Sequence, residues 1–268
     1  MENSIDKNEM KFSSYAVFTD KVSGLSGNTS TVVVLDHPLS GRQMQDIASD
    51  LWQPATTFLW KEGNHWHVRW FAPDQEIGLC GHGSMAAVAC LHDKGITDFD
   101  LHFNGGIISG GVENDRCYIT LEIIPVVEEL KIEDYLLKAL KIPILGHYQT
   151  SNKNIILTDN QESVKSMRPN FEILRSSPIF GYAVTAPGDH CDFVSRTLVP
   201  HVHQLEDPAT GSSHAALAPF WASRLHKTEM EAIQLSKRGG KFYLKMQGTT
   251  VRLSGDHDKL NAGTIYLR

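Results

Sequence analysis

A chain of 268 residues with a net charge of -6, 41% hydrophobic and 21% charged residues has the make-up of an ordinary folded protein, which excludes a disordered, fibrous or membrane-embedded chain. No Lys/Arg-rich run offers a phosphate track, so nucleic acid is excluded as a partner and a small molecule is expected instead. The polar start lacks the apolar core of a signal peptide and no run approaches the roughly 18 apolar residues of a spanning helix, so a cytoplasmic protein is expected, with Cys80, Cys90, Cys117 and Cys191 reduced and without the spacing of a zinc or disulfide framework.

Residues 1–11 read as a flexible tail, 12–126 as an N-terminal lobe and 127–258 as a C-terminal lobe, with 259–268 expected to complete the first. Short alternating or β-branched runs at 31–35 and 67–71 predict strands. The alanine-rich segment 84–92 is apolar on most of its circumference, and such a helix must be buried. A β-like run at 118–121 follows, and the polar stretch 128–138 after Pro125 is expected to form a link or a surface helix. The second lobe repeats this order, with strands at 155–158 and 182–185, a buried helix at 213–224 and β-like runs at 242–244 and 251–253. The predicted fold is α+β: two pseudo-symmetric lobes, each a curved, barrel-like sheet around a central helix.

The repeat is visible in the letters. Arg69-Trp70-Phe71-Ala72-Pro73 lies over Arg196-Thr197-Leu198-Val199-Pro200 at an offset of 127, and the same offset pairs Cys80 with Asp207. After a two-residue insertion, Met85-Ala86-Ala87-Val88 answers His214-Ala215-Ala216-Leu217, and Gly105-Gly106 answers Gly239-Gly240.

Gly81-His82-Gly83-Ser84 opens the first helix and Thr210-Gly211-Ser212-Ser213 the second. Each entrance presents backbone N–H groups and partial positive charge, while glycine lets a ligand come close, so both are candidate anion sites. The plainer alternative is N-capping by Ser84, Ser212 or Ser213. A pseudo-twofold axis would bring both entrances to one cleft, where a small carboxylate is held and the charge of a carbanion or enolate is stabilised. Asp207, His82 and Cys80 are the candidate acid and base groups, although Cys80 also suits a buried apolar position and Asp207 a turn before Pro208. His201 and His203 share one face of an expected strand but have no third ligand, so no metal is expected. A hydrolase or transferase with Cys80 as nucleophile and His82 as base is weaker, since no third group orients them.

These residues carry a resemblance. Val17-Phe18-Thr19-Asp20 with Gly27-Asn28, then Phe71-Ala72-Pro73, Glu76 and Leu79-Cys80-Gly81-His82-Gly83, then Glu206-Asp207-Pro208-Ala209-Thr210-Gly211-Ser212, and finally Gln234-Leu235-Ser236 with Arg238-Gly239-Gly240 are similar to the signatures of the phenazine-biosynthesis PhzF-like family, which has the diaminopimelate-epimerase fold. The resemblance implies a cofactor-independent isomerase, often a homodimer, whose lobes close over a small carboxylate and shift a proton without pyridoxal phosphate or metal. The family's characterised chemistry is isomerisation of a dihydro-hydroxyanthranilate. By the same resemblance the catalytic histidine maps to His82, the aspartate to Asp207 and a serine to Ser212, and the two cysteines of the epimerase relatives fall at Cys80 and Asp207. Gly81, Gly83, Ser84, Gly211, Ser212, Ser213 and Asn28 are the expected substrate-binding residues. One position departs from the pattern: Pro54-Ala55-Thr56-Thr57-Phe58 has Ala55 where the family carries a proton-shuttling glutamate. A methyl group cannot move protons, which leaves a second expectation open, a protein that kept the cleft and binds small carboxylates without converting them.

Overall fold

The computed structural model describes residues 9–96 and 98–267, and it divides into two compact units. The first contains Thr29–Ile119 together with the segments that end at Val17 and begin at Asp256; the second contains Phe18–Asn28 and Thr120–Gly255. Both units are therefore discontinuous in sequence. Residues 18–28, expected in the N-terminal lobe, belong to the second unit. Of the expected tail, residues 9–11 already lie in a strand, and 1–8 fall outside the described residues.

In chain order the elements are β1 (Glu9–Thr19), β2 (Asn28–Leu35), α1 (Gly41–Leu51), β3 (Thr56–Glu62), β4 (His65–Phe71), β5 (Glu76–Ile77), α2 (Gly81–His92), β6 (Asp98–Phe103), β7 (Gly106–Glu113) and β8 (Arg116–Glu122). Then come β9 (Val126–Leu130), α3 (Asp134–Leu140), β10 (Gly146–Thr150), β11 (Asn154–Leu157), α4 (Gln161–Ser166), α5 (Phe171–Arg175), β12 (Tyr182–Pro187), β13 (Phe193–Val199), β14 (Leu205–Asp207), α6 (Gly211–Leu225), β15 (Glu229–Gln234), β16 (Gly240–Gln247) and β17 (Thr250–Tyr266). The stretch read as a link or surface helix is thus a strand followed by a short helix.

The two units share one topology. In the first, β2 pairs parallel with β3, β3 antiparallel with β4, β4 antiparallel with β5 and parallel with β6, and β6 antiparallel with β7. In the second, β11, β12, β13, β14, β15 and β16 follow the same succession of parallel and antiparallel pairs. A parallel pair needs a crossover. Here α1, or α4 with α5, makes the first crossover of each unit, and α2 or α6 the second.

Both second-crossover helices are buried almost all round. Gly81 through Leu91 are buried in α2, which packs on β3 and β7; α6, packed on β15 and β16, buries nine residues from Gly211 to Trp221. Small side chains make this possible, because Ala86, Ala87, Ala89, Ala215, Ala216 and Ala218 let strands approach from several sides. Pro219 interrupts the ladder of α6 and has no N–H to give the carbonyl of Ala215. The backbone N–H of Ile124 donates to that carbonyl instead, at 3.0 Å. The freed carbonyl is thereby satisfied from outside the helix.

The helices predicted at 84–92 and 213–224 begin three and two residues earlier than expected. Gly81, His82 and Gly211 consequently lie in first turns rather than in preceding loops. Among the described residues, no helix is long and apolar enough to cross a membrane.

Candidate active site

At the entrance of α2, Cys80 is the N-cap residue, and its sulfur accepts from the backbone N–H of Gly83 at 3.4 Å. The same sulfur lies 3.5 Å from Nδ1 of His82, whose ring is buried. Ser84 does not cap the helix; its hydroxyl donates back to the carbonyl of Cys80 at 2.7 Å. Gly83 has a packing reason to be glycine: a Cβ there would stand 2.5 Å from Cδ1 of Trp70 and 2.8 Å from Oγ1 of Thr57. Gly83→Ala is accordingly expected to cost about 1–3 kcal/mol through overpacking, read as a lower urea midpoint at unchanged slope. Ala55 is fully buried close by in this hydrogen-bond network. Its carbonyl accepts from Ser30 Oγ (2.9 Å), and Thr57 Oγ1 lies 2.8 Å from Ser30 Oγ and 3.3 Å from the carbonyl of Gly83. Position 55 is thus tied to the first turn of α2.

At the entrance of α6, the half-buried carboxylate of Asp207 is held on both oxygens. Oδ1 accepts from Asn28 Nδ2 at 2.7 Å and Oδ2 from the hydroxyl of Thr210 at 2.6 Å. Asn28 also donates to the carbonyl of Ala209, and buried Gln234 binds both the carbonyl of Asp207 and the N–H of Thr210. Ser236 donates to the carbonyl of Pro208, while Arg238 donates to the carbonyls of Gly27 and Ser26. The motif at 234–240 therefore fixes the two loops that present Asn28 and Asp207. Leu205 adopts a left-handed backbone, φ 63°, immediately upstream, a conformation that costs energy for a side chain of this size. Because Thr210 spends its hydroxyl on Asp207, it supplies no side-chain cap to α6.

Lys153, in the bend before β11, is a residue the sequence did not single out. It is 6% exposed, and its Nζ donates to Ser212 Oγ at 3.0 Å and to Asn152 Oδ1 at 2.6 Å. Burial pushes its ammonium down to about 8, against the opposing influence of the Asp207 charge. A single lysine in a polar turn carries no sequence signal for this placement. Ser213, by contrast, is turned inward and accepts from Thr197 Oγ1 at 3.0 Å.

The repeat holds in the structure, but its register differs from the one read in the letters. Phe71 pairs with Glu76 and Leu198 with Glu206, so the second connection is three residues longer. Those extra residues precede the glutamate, and they make Thr210, not Asp207, the counterpart of Cys80; both are N-caps. It follows that Ser212 answers His82 and that Ser84 answers His214. The matched glutamates form matched ion pairs, Arg69 with Glu76 and Arg196 with Glu206, each bidentate at 2.7–2.8 Å. These pairs brace β5 and β14 just upstream of the helix entrances. His201 and His203, expected on a strand, lie in the turn between β13 and β14, where His201 is bonded to the carbonyl of Ser177. Among the described residues, no group of three or more His, Cys, Asp or Glu is arranged to hold a metal ion.

Residues 15–261 match the model of the phenazine biosynthesis-like proteins, PhzC-PhzF. The chain belongs to this family. It is 34% identical over 245 residues to an uncharacterized isomerase of Pseudomonas aeruginosa, covering 90% of this chain and 94% of that one. A PhzF family protein of Enterococcus faecalis has a crystal structure that superimposes with a TM-score of 0.90 at 30% identity, covering 97% and 100% of the two chains. A hydroxyproline epimerase from Agrobacterium vitis superimposes at 0.64 with 12% identity over 97% and 91%, which is a likeness of fold.

One further group in this PhzF-like chain has a stability consequence. His214 is fully buried, donates from Nδ1 to the carbonyl of Thr210 at 2.9 Å and stacks on Phe242 at 3.6 Å, while its Nε2 has no hydrogen-bond partner among the described residues. Burial lowers its pKa from 6.5 to about 4. The unfolded chain takes up a proton as pH falls below 6.5 and the native chain does not until about 4, so stability is present above that window and is lost through it. Between pH 7 and 4 this is worth on the order of 3 kcal/mol. Urea titrations at both pH values should show His214→Gln losing less stability on acidification than the wild type.

Proposed function

We propose that this protein is a cofactor-independent isomerase or epimerase that shifts a proton on a small carboxylate substrate, with Asp207 as principal acid/base and His82 as its partner. Cys80, beside His82, is the second candidate base. The observation that carries the reading is the carboxylate of Asp207, held on both oxygens at an entrance of α6 to which Thr210 supplies no side-chain cap. A general acid or base must sit in a fixed position to work, and unspent N–H groups at a helix start suit the negative charge that develops when a proton leaves a carbon next to a carboxylate. Gly211 and Ser212 supply that turn; Gly81 and His82 supply its counterpart in α2. The relatives named as isomerases and the fold shared with an epimerase support the same class of reaction.

Ala55 favours a second reading, a protein that binds small carboxylates without converting them, since the position is a buried methyl tied to the first turn of α2. Solvent deuterium separates the two. Incubated in D2O with a panel of small chiral and unsaturated carboxylates, an isomerase incorporates deuterium at carbon. Binding without incorporation across the panel would leave the second reading standing and remove the first.

A further inference from the structure

The repeat gives the missing shuttle position a counterpart. Thr31 donates its N–H to the carbonyl of Ala55, and Asn154 donates in the same way to the carbonyl of Gly181, with Thr31 opposite Thr56 and Asn154 opposite Tyr182 in equivalent parallel pairs. Gly181 therefore answers Ala55, and Lys153 answers Ser30. In the first unit this pair of positions ends in neutral groups. In the second, a Cβ on Gly181 would stand 2.7 Å from the carbonyl of Leu198 and 3.3 Å from Cγ of Lys153, so the glycine lets both the β13 backbone and the lysine stem pack against it.

Lys153 brings a full positive charge to the start of α6. Among the described residues it forms no ion pair, and its ammonium gives two of its three N–H donors to Ser212 and Asn152. The carboxylate of Asp207 favours the charged lysine from a distance, but its oxygens are bonded to Asn28 and Thr210 and not to Nζ. A buried cation with no carboxylate in direct contact is costly. Its lowered pKa is the expression of that cost. The feature that removes it is an anion, and Ser212, by accepting from Lys153, keeps its own O–H free to donate to one.

We propose that Lys153 is the carboxylate-recognising residue of this protein, binding a substrate carboxylate together with the hydroxyl of Ser212 and the first-turn N–H groups of α6. The inference rests on the reading of that entrance as a substrate site, and it adds the residue that selects an anionic substrate over its neutral analogue. Ser212 is a positioning residue as well as a ligand, since its hydroxyl is oriented by the lysine.

Benzoate and benzamide have the same outline and differ in charge, so they test the assignment without any chemistry at carbon. The full-length protein, ¹⁵N-labelled, is titrated with each, and the amide resonances of Gly211, Ser212 and Ser213 are followed. Benzoate should bind at least tenfold more tightly than benzamide to the wild type. In Lys153→Met that preference should disappear through loss of benzoate affinity, with benzamide unchanged, and Lys153→Arg should restore part of it. Benzoate affinity in Lys153→Met within threefold of the wild type overturns the proposal, as does benzoate that leaves those three resonances unmoved in the wild type. Lys153-dependent binding of benzoate alongside a blank deuterium panel would remove the isomerase reading alone. Deuterium incorporation at unchanged KM in Lys153→Met would remove the lysine assignment alone.

Discussion

Replacing Asp207 with asparagine should lower deuterium incorporation into a turned-over carboxylate by about a thousandfold, the usual scale for loss of a positioned general acid or base. The substitution keeps the shape of the side chain and its framework. Asn28 can still donate to the remaining oxygen, and the Thr210 hydroxyl, which also lies 3.2 Å from Nε2 of Gln234, can turn to accept from the new amide. Stability should therefore move by less than about 1 kcal/mol. The rate loss should appear in kcat with KM little changed, because the group acts on the proton and not on the carboxylate. An Asp207→Asn protein that exchanges at nearly the wild-type rate would remove Asp207 from the mechanism.

The second large effect runs in the opposite direction. Lys153→Met should make the protein more stable at pH 7, by about 1–3 kcal/mol, while weakening its hold on carboxylates. The sign follows from linkage. The pKa of Lys153 falls from 10.5 when the chain is unfolded to about 8 in the native protein. Below 8 both states are protonated, and the native one bears the buried charge, a difference on the order of 3 kcal/mol. Between about 8 and 10.5 the native state has lost its proton and the unfolded state has not, so wild-type stability rises through that window. Methionine fills the space without the charge but gives up two hydrogen bonds, hence the lower end of the range. Chemical denaturation at pH 7 and pH 10 should show the variant ahead at the first and the gap closing at the second. A variant less stable than the wild type at pH 7 would mean that the ammonium is well compensated where it stands.

Much of the architecture was legible because burial leaves a mark on composition. The two alanine-rich segments could be helical only inside a core, and they are the second-crossover helix of each unit. The Pro-Ala-Thr-Gly run after Asp207 likewise marked a helix entrance. Register was not legible in the same way. Equal spacing paired Cys80 with Asp207, yet a connection three residues longer changes which residues correspond, and loop length leaves no trace in an offset until strand pairing is known. The packing demand at Gly83 was not legible for a related reason: the need to admit Trp70 and Thr57 leaves no mark on a glycine as a letter. Lys153 was invisible as a functional residue, since its importance comes from a side chain far along the chain, Ser212, and Gln234 stood out only through the family resemblance, with the backbone it frames unread.

The interleaving of the two units along the chain also dictates an order of events during synthesis. The first unit needs residues from position 256 onward, where Asp256 pairs with Arg116, His257 meets Cys117 and Lys259 reaches Asp93. A ribosome emits that segment only after the whole of the second unit has emerged, so the half that is translated first is the half that must wait. Its nascent strands are then exposed for most of the elongation time, the circumstance in which chaperones are recruited and in which pausing or truncation late in the message does the most damage.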